Sequence, residues 1–395
     1  MKVGPLVNAL VLVTLAVGAS APACAQSISA MAADLQRLQV QIASGDKSAY
    51  AAQQERLNAI GAAIGAAKPE VWKSKSETDA VIVYLLSGGQ PRDVVQLLQS
   101  GAVPESEAPF MRGAVAYIAG NEADAERLLG GLDPRKLDLR LAGQVAFAQS
   151  VLQTSRDETR AIALLDLARL LAPGCLVEEA ALRREILLVN GQRDVDRVAS
   201  LARQYATRFG RSIYAESFLQ GLAGAFVQSR VAESLPNYQK FASFISALSP
   251  EVRRGFLLTI ARAEALNGKF AVAGAAAGDA LRDSQSDSAD EARGKLYQAA
   301  ARIMTPEYDD GVAELQSVAQ SKLDRADQDL LGAVRSVAMY LREPPAEIDL
   351  ERQRTSPAPP DANDEAAATI ALAEAAMNRT AALVGTADKN EKGTL

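Results

Sequence analysis

One feature constrains this chain more than any other: an apolar helical stretch closed by a small polar turn, repeated along most of its length. Tyr84-Leu-Leu-Ser-Gly88, Tyr117-Ile-Ala-Gly120-Asn121, Leu188-Val-Asn-Gly191 and Leu266-Asn-Gly268 each end an apolar run, and each is followed by a second amphipathic segment. Less marked turns fall at Thr154 to Asp157, at Ser229-Arg230 and at Thr305-Pro306-Glu307. Between Gly88, Gly120, Ser155, Gly191, Arg230, Gly268 and Pro306 the intervals are 32, 35, 36, 39, 38 and 38 residues. Tetratricopeptide-type helical hairpins repeat at roughly 34 residues and longer hairpins at roughly 40–47. The drift in spacing predicts helices that lengthen along the chain. An earlier hairpin precedes these: Ile28, Met31, Leu35, Leu38 and Ile42 at three-four spacing, a Ser44-Gly45-Asp46 turn, then Tyr50, Leu57, Ile60 and Ile64. Single hairpins cannot bury their apolar faces, and stacked ones can. The predicted fold is therefore all-α: a superhelical solenoid of degenerate tetratricopeptide-like hairpins, about seven or eight in number.

Composition supports helix over strand. Hydrophobic residues make up 48% and aromatics only 5%, so the apolar supply is mostly Ala, Leu and Val. No alternating, β-branched run between turn signals is present. Pro69, Pro109, Pro134, Pro173, Pro236, Pro250 and Pro306 all fall at inferred helix edges.

The ends differ from the middle. Lys2, the apolar stretch from Leu6 to Ala19 and Ala23-Cys24-Ala25 compose a Sec-type signal peptide over residues 1–25, cleaved before Gln26. The apolar stretch is shorter than the roughly 18–20 residues of a membrane span. A lipoprotein alternative would use Cys24, but Ala21-Pro22-Ala23 lacks the usual leucine. The predicted location is the periplasm, with no membrane-spanning segment after cleavage. Only Cys175 then remains, so no internal disulfide is available. Residues 26–342 form the predicted repeat domain. A Pro-rich linker at 343–360, an Ala-rich helix at 361–384 with Ile370, Ala373, Met377 and Leu383 on one side, and a frayed tail at 385–395 complete the chain.

The formal net charge of −6 argues against nucleic acid as a partner. There is no histidine, which removes the commonest general base and the commonest transition-metal ligand. Phosphate-cradling glycine motifs are absent as well. The expectation is a protein with no catalytic residue, no metal, no cofactor and no small-molecule substrate. Glu216-Ser217 matches the opening of the lytic transglycosylase motif, but the later Gly-Leu-Met-Gln segment is missing. Cys175, after Ala172-Pro173-Gly174, reads as a small residue at a tight turn rather than a reactive thiol. Arginines crowd the stretch from Arg183 to Arg211, with Glu178, Glu179, Glu185, Asp194 and Asp196 among or just before them. Arg193, Arg197, Arg208 and Arg211 are the candidate partner-binding residues. The competing reading is a solvated face of local ion pairs.

Leu171-Ala-Pro-Gly-Cys-Leu-Val-Glu-Glu-Ala-Ala-Leu-Arg-Arg-Glu-Ile186, Arg193-Asp-Val-Asp-Arg197, Tyr205-Ala-Thr-Arg-Phe209 and Arg211-Ser-Ile-Tyr214 resemble the MotC family of periplasmic motility proteins of alphaproteobacteria. The resemblance extends over nearly the whole mature chain and is weakest in the Pro-rich linker. Cys175 stands where a small hydroxyl residue is expected. The resemblance implies a non-catalytic protein of flagellar rotation and chemotaxis. It would bind the periplasmic region of the stator subunit MotB and stabilise or orient it. The alternative is a generic periplasmic tetratricopeptide-like scaffold for envelope or peptidoglycan assembly.

Overall fold

The computed structural model describes residues 27–191, 194–229 and 233–342. Among these there are α-helices and short 3-10 turns and no strand. The helices come in pairs: α1 Ile28–Ala43 and α2 Lys47–Ala66; α3 Lys75–Leu86 and α4 Pro91–Gln99; α5 Ala108–Ile118 and α6 Glu122–Leu129; α7 Leu139–Gln153 and α8 Glu158–Leu171; α9 Leu176–Gly191 and α10 Val195–Phe209. In the sixth pair α11 Ala215–Ser229 faces two short helices, α12 Leu235–Lys240 and α13 Ala242–Ala247. Then follow α14 Pro250–Leu266 with α15 Phe270–Arg282, α16 Ala289–Arg302 with α17 Tyr308–Gln316, and α18 Arg325–Arg342. The fold is an all-helical repeat solenoid, as its turn spacing predicts. The linker, last helix and tail expected after residue 342, and the expected signal peptide, lie outside the described residues.

The turns form where the small residues fall. Gly45, Gly88, Gly120 and Gly268 close four of the pairs with φ of 101°, 99°, 74° and 74°, a region that residues with a Cβ rarely enter. Helix starts are capped locally: Asp46, Asn121, Asp157, Asp194 and Ser288 each accept a hydrogen bond from a backbone N–H in the first turn that follows. Pro91, Pro109 and Pro250 occupy the first turns of α4, α5 and α14, where no N–H is needed.

The expected lengthening of the helices holds only from the third pair to the fifth. The second helices run to 20, 9, 8, 14 and 15 residues in the first five pairs. In the sixth pair that helix is broken in two. Phe241, at the break, is 2% exposed and packs on Phe226 with ring centroids 4.6 Å apart. Phe244 and Phe256 complete an aromatic cluster with edge-on contacts at 5.3 and 5.9 Å. The longer intervals late in the chain thus come partly from this break.

The chain divides into two compact units, Met1–Arg335 and Ser336–Leu395. Of the second, only the last turns of α18 are described. There Ala338 is buried, and Val337, Met339, Tyr340 and Leu341 are exposed.

Within the first unit the winding changes along the chain. Every residue of α3 from Glu77 to Leu85 is buried, so this helix is surrounded rather than one-sided. It packs on α1, α2, α5 and α7 and on the 3-10 turn Pro69–Lys73, which buries Trp72. Helix α1 also reaches α9, four pairs further on. Ser29 donates its backbone N–H and its hydroxyl to Glu77, at 3.0 and 2.6 Å. Gln36 donates to the Arg140 carbonyl at 2.8 Å. The Tyr50 and Tyr214 rings meet edge-on at 6.4 Å. The leading helices of the first five pairs therefore close on one another. Beyond them, α11, α14 and α16 stack in succession.

Three leading helices at the far end share one buried carboxylate. Asp327 of α18 accepts from the Tyr297 hydroxyl of α16 at 2.9 Å and from Nε of Arg262 of α14 at 3.1 Å. Tyr84 plays a similar part near the start: its hydroxyl donates to Asp93 at 2.7 Å and accepts from the Gln90 N–H at 2.9 Å. Burial pushes the Tyr84 phenol up to about 12.

The closure is tightest at Gly45. A Cβ there would lie 2.3 Å from the Arg211 carbonyl oxygen, and the residue is already at positive φ. Gly45→Ala is expected to cost about 3 kcal/mol, the sum of a left-handed backbone penalty and displaced packing. At Gly101 φ is also positive but the space is open, so Gly101→Ala should cost only about 1 kcal/mol. Urea denaturation of the two variants checks this, and equal losses would show that the Gly45–Arg211 approach carries no weight.

Candidate partner-binding surface

The arginine-rich stretch is built on α8, α9 and α10. Glu185 of α9 is fully buried. It accepts from Arg169 of α8 at 2.6 Å through one carboxylate oxygen and from Arg197 of α10 at 2.9 Å through the other. Arg197 also reaches Asp166 at 3.1 Å, and Arg169 donates to Gln204 at 2.6 Å. Two arginines and two carboxylates thus lace three consecutive helices together. Two turns of α9 earlier, Glu178 accepts from Arg208 at 2.6 Å and from the Gly174 N–H at 2.5 Å. Glu179 is fully buried and accepts from the Tyr205 hydroxyl at 3.1 Å and the Ser212 hydroxyl at 2.8 Å.

The candidate residues are placed as follows. Arg197 and Arg208 lie along the seam between α9 and α10 and are held by Glu185, Asp166 and Glu178. Their side chains remain 39% and 46% exposed. Arg211 is exposed in the turn after α10, with its carbonyl against Gly45. Arg193 lies outside the described residues. The three that are described are strung along one seam and do not converge on a point. Two other arginines of the stretch face inward: Arg183 sits over the Tyr214 ring at 5.1 Å, and Arg184 donates to Thr154 at 3.0 Å.

What the sequence reading missed is the acid side of this arrangement. Glu185 and Glu179 organise the seam, yet by spacing alone they look like ordinary helix-surface glutamates. A signal was available: Glu185 falls among apolar neighbours, with Leu182 and Val189 buried on the same face of α9. Burial pushes the Glu179 carboxyl above the usual range, against the hydroxyl bonds and the nearby Arg183 that draw it down. Cys175 is half-buried, its Sγ 3.3 Å from the Ala172 carbonyl, and burial pushes its thiol up, away from the thiolate. Glu216 and Ser217 sit on the exposed face of α11.

Among the described residues no group of His, Cys, Asp and Glu side chains is arranged to hold a metal ion. No helix among them is long and apolar enough to cross a membrane.

The model of the MotC family, described as chemotaxis protein MotC, matches residues 3–393. The chain belongs to the MotC family. A relative from Rhizobium meliloti (strain 1021), also described as chemotaxis protein MotC, is 26% identical over 319 residues, which are 80% of this chain and 72% of its own. Among solved structures, the tetratricopeptide domain of P58(IPK) covers 80% of this chain and 94% of its own length at 12% identity, with a TM-score of 0.25. Family membership supports a role in chemotaxis and motility, and with an all-helical repeat it points to a scaffold rather than a catalyst.

Removing one partner of a buried ion pair leaves the other charge stranded. Glu185→Ala, which strands Arg169 and Arg197, is expected to lose about 3–5 kcal/mol in chemical denaturation. Arg211→Ala, in the open turn, should change stability by no more than about 0.5 kcal/mol.

Glu179 gives a pH signature. Its raised folded-state pKa means that its contribution is complete below the unfolded-chain value and is lost as pH rises through the folded one. Glu179→Gln keeps an acceptor without the charge, so the variant should gain on the parent protein as pH rises above the ordinary carboxylate range. Parallel denaturation midpoints above that range would show that Glu179 does not titrate with folding.

Proposed function

We propose that this chain is an exported periplasmic protein of the flagellar motor that binds the periplasmic region of the stator subunit MotB. By binding that region only when it is folded, it would stabilise and orient the stator by mass action. It carries out no catalysis. The observation that carries this reading is the match to the MotC family over residues 3–393. The helical repeat supports it, because stacked hairpins offer extended surfaces for a protein partner. Export is supported by the lysine, apolar stretch and Ala23-Cys24-Ala25 at the start of the sequence.

The seam on α9 and α10 enters this reading in a limited way. Arg197 and Arg208 are already engaged within the fold, and their exposed edges could each take one further carboxylate from a partner. Arg211 presents its side chain to solvent next to them.

An in-frame deletion strain is expected to lose spreading in soft agar and to regain it when the full gene is restored. Unimpaired spreading of the deletion strain would end the motility reading. The affinity-tagged full chain should also retain the periplasmic region of MotB on purification. If motility is lost while MotB is not retained, the partner assignment fails and the motility role stands.

A further inference from the structure

Beyond the first five pairs the leading helices stack in file, and the space between them differs in chemistry from the clefts earlier in the chain. A groove of about 300 Å³ runs between the leading helices α11 and α14. Leu219 and Phe256 form its floor, with Val252 beside them. Gly255 opens it: a Cβ at that position would meet nothing within 4 Å. A partner's backbone can therefore come close to α14 at this point without displacing a side chain.

The rim has one sign of charge. Glu216 and Glu251 line the groove, each in the first turn of its helix, and no Lys or Arg lines it. Among the described residues neither glutamate is in an ion pair; Glu216 has only a weak contact from Gln220 at 3.4 Å. Two other clefts differ. The one between α1 and α2 holds Asp34, Glu55, Arg37 and Arg56, with Asp34 paired to both arginines. The cleft by α16 contains Arg302, which is already paired with Glu307 and Glu314. The neighbouring basic residues of α14 turn away from the groove: Arg253 is bound to Asp283 and Arg254 to Asp290.

The spacing narrows the occupant. Glu251 precedes Gly255 by one helical turn, and Glu216 precedes Gln220 by the same interval. From Glu251 to Thr259 the groove spans two turns, roughly 12 Å. That is room for one or two side chains.

We propose that this groove holds a helix of a protein partner in which a lysine or arginine stands one turn from a large apolar residue. The apolar side chain lies over Gly255 onto Leu219 and Phe256, and the cation meets Glu216 and Glu251. The inference rests on the preceding reading only in taking the ligand to be a protein; it does not depend on which protein that is.

The test uses the full mature chain and a fluorescein-labelled, alanine-based helical peptide carrying Lys at one position and Leu four residues later. Fluorescence anisotropy should show saturable binding that weakens as salt is raised. The Glu216→Lys/Glu251→Lys double variant and Gly255→Trp, which fills the groove, should each lose about tenfold in affinity. A peptide with Glu in place of Lys should bind about tenfold more weakly than the parent peptide. All three substituted positions are exposed, and unchanged thermal melts confirm that the variants fold. Absence of saturable binding, or affinities that the variants leave unaltered, would overturn the proposal. Retention of MotB by the tagged chain is scored separately, so the groove can fail while the stator reading stands, and the reverse.

Discussion

The constraint behind this structure is that no helical pair can bury its own apolar face. A pair gains stability only from its neighbours, and the stacking of leading helix on leading helix follows from that need. The chain meets it in two ways. In the first five pairs the leading helices turn in on each other until α3 has no solvent-facing side. In the later pairs they stack in file, and the joints are reinforced by shared polar groups. Asp327 ties α14, α16 and α18, as Glu185 ties α8, α9 and α10. Buried carboxylates are costly unless fully satisfied. Each of these two accepts from groups on two other helices, so the cost becomes a means of fixing how three helices register.

Much of the fold was legible in the sequence because its punctuation is local. Gly88, Gly120 and Gly268 mark turns through a backbone conformation that glycine adopts freely, and the prolines mark helix starts through a missing N–H. Such signals need no knowledge of the rest of the chain. The inward winding is a long-range outcome and could not be read in that way. Its trace is the unbroken apolar run Ala80-Val-Ile-Val-Tyr-Leu-Leu86, which suits a helix covered on every side. The break at Phe241 was hidden for a related reason: it depends on Phe226, Phe244 and Phe256 meeting in space.

The arginine stretch shows the limit of reading charge from sequence. By spacing, Arg197 and Arg208 look like a binding face, and local ion pairs look like the bland alternative. The structure gives ion pairs that are not local: Arg197 reaches back to Asp166 and Glu185, and Arg208 to Glu178. Charges that seem available in one helix are in use by the helices before it. The acid-rimmed groove has the opposite history. Glu216 drew attention for its place in a catalytic motif, whereas its setting beside Leu219, Phe256 and Gly255 concerns recognition. The family was legible from a run of residues in and around this same stretch, which is where the fold spends much of its buried polar chemistry.

The contact between the Gly45 turn and Arg211 has a consequence for how this protein can change over time. Repeat arrays commonly gain and lose units, because each unit answers only to its neighbours. Here the first unit also answers to the fifth. A pair deleted or duplicated between them would pull Gly45 away from the Arg211 carbonyl and Tyr50 away from Tyr214. The early pairs are therefore tied to a fixed number, because a change anywhere between the first and the fifth would break contacts at both ends.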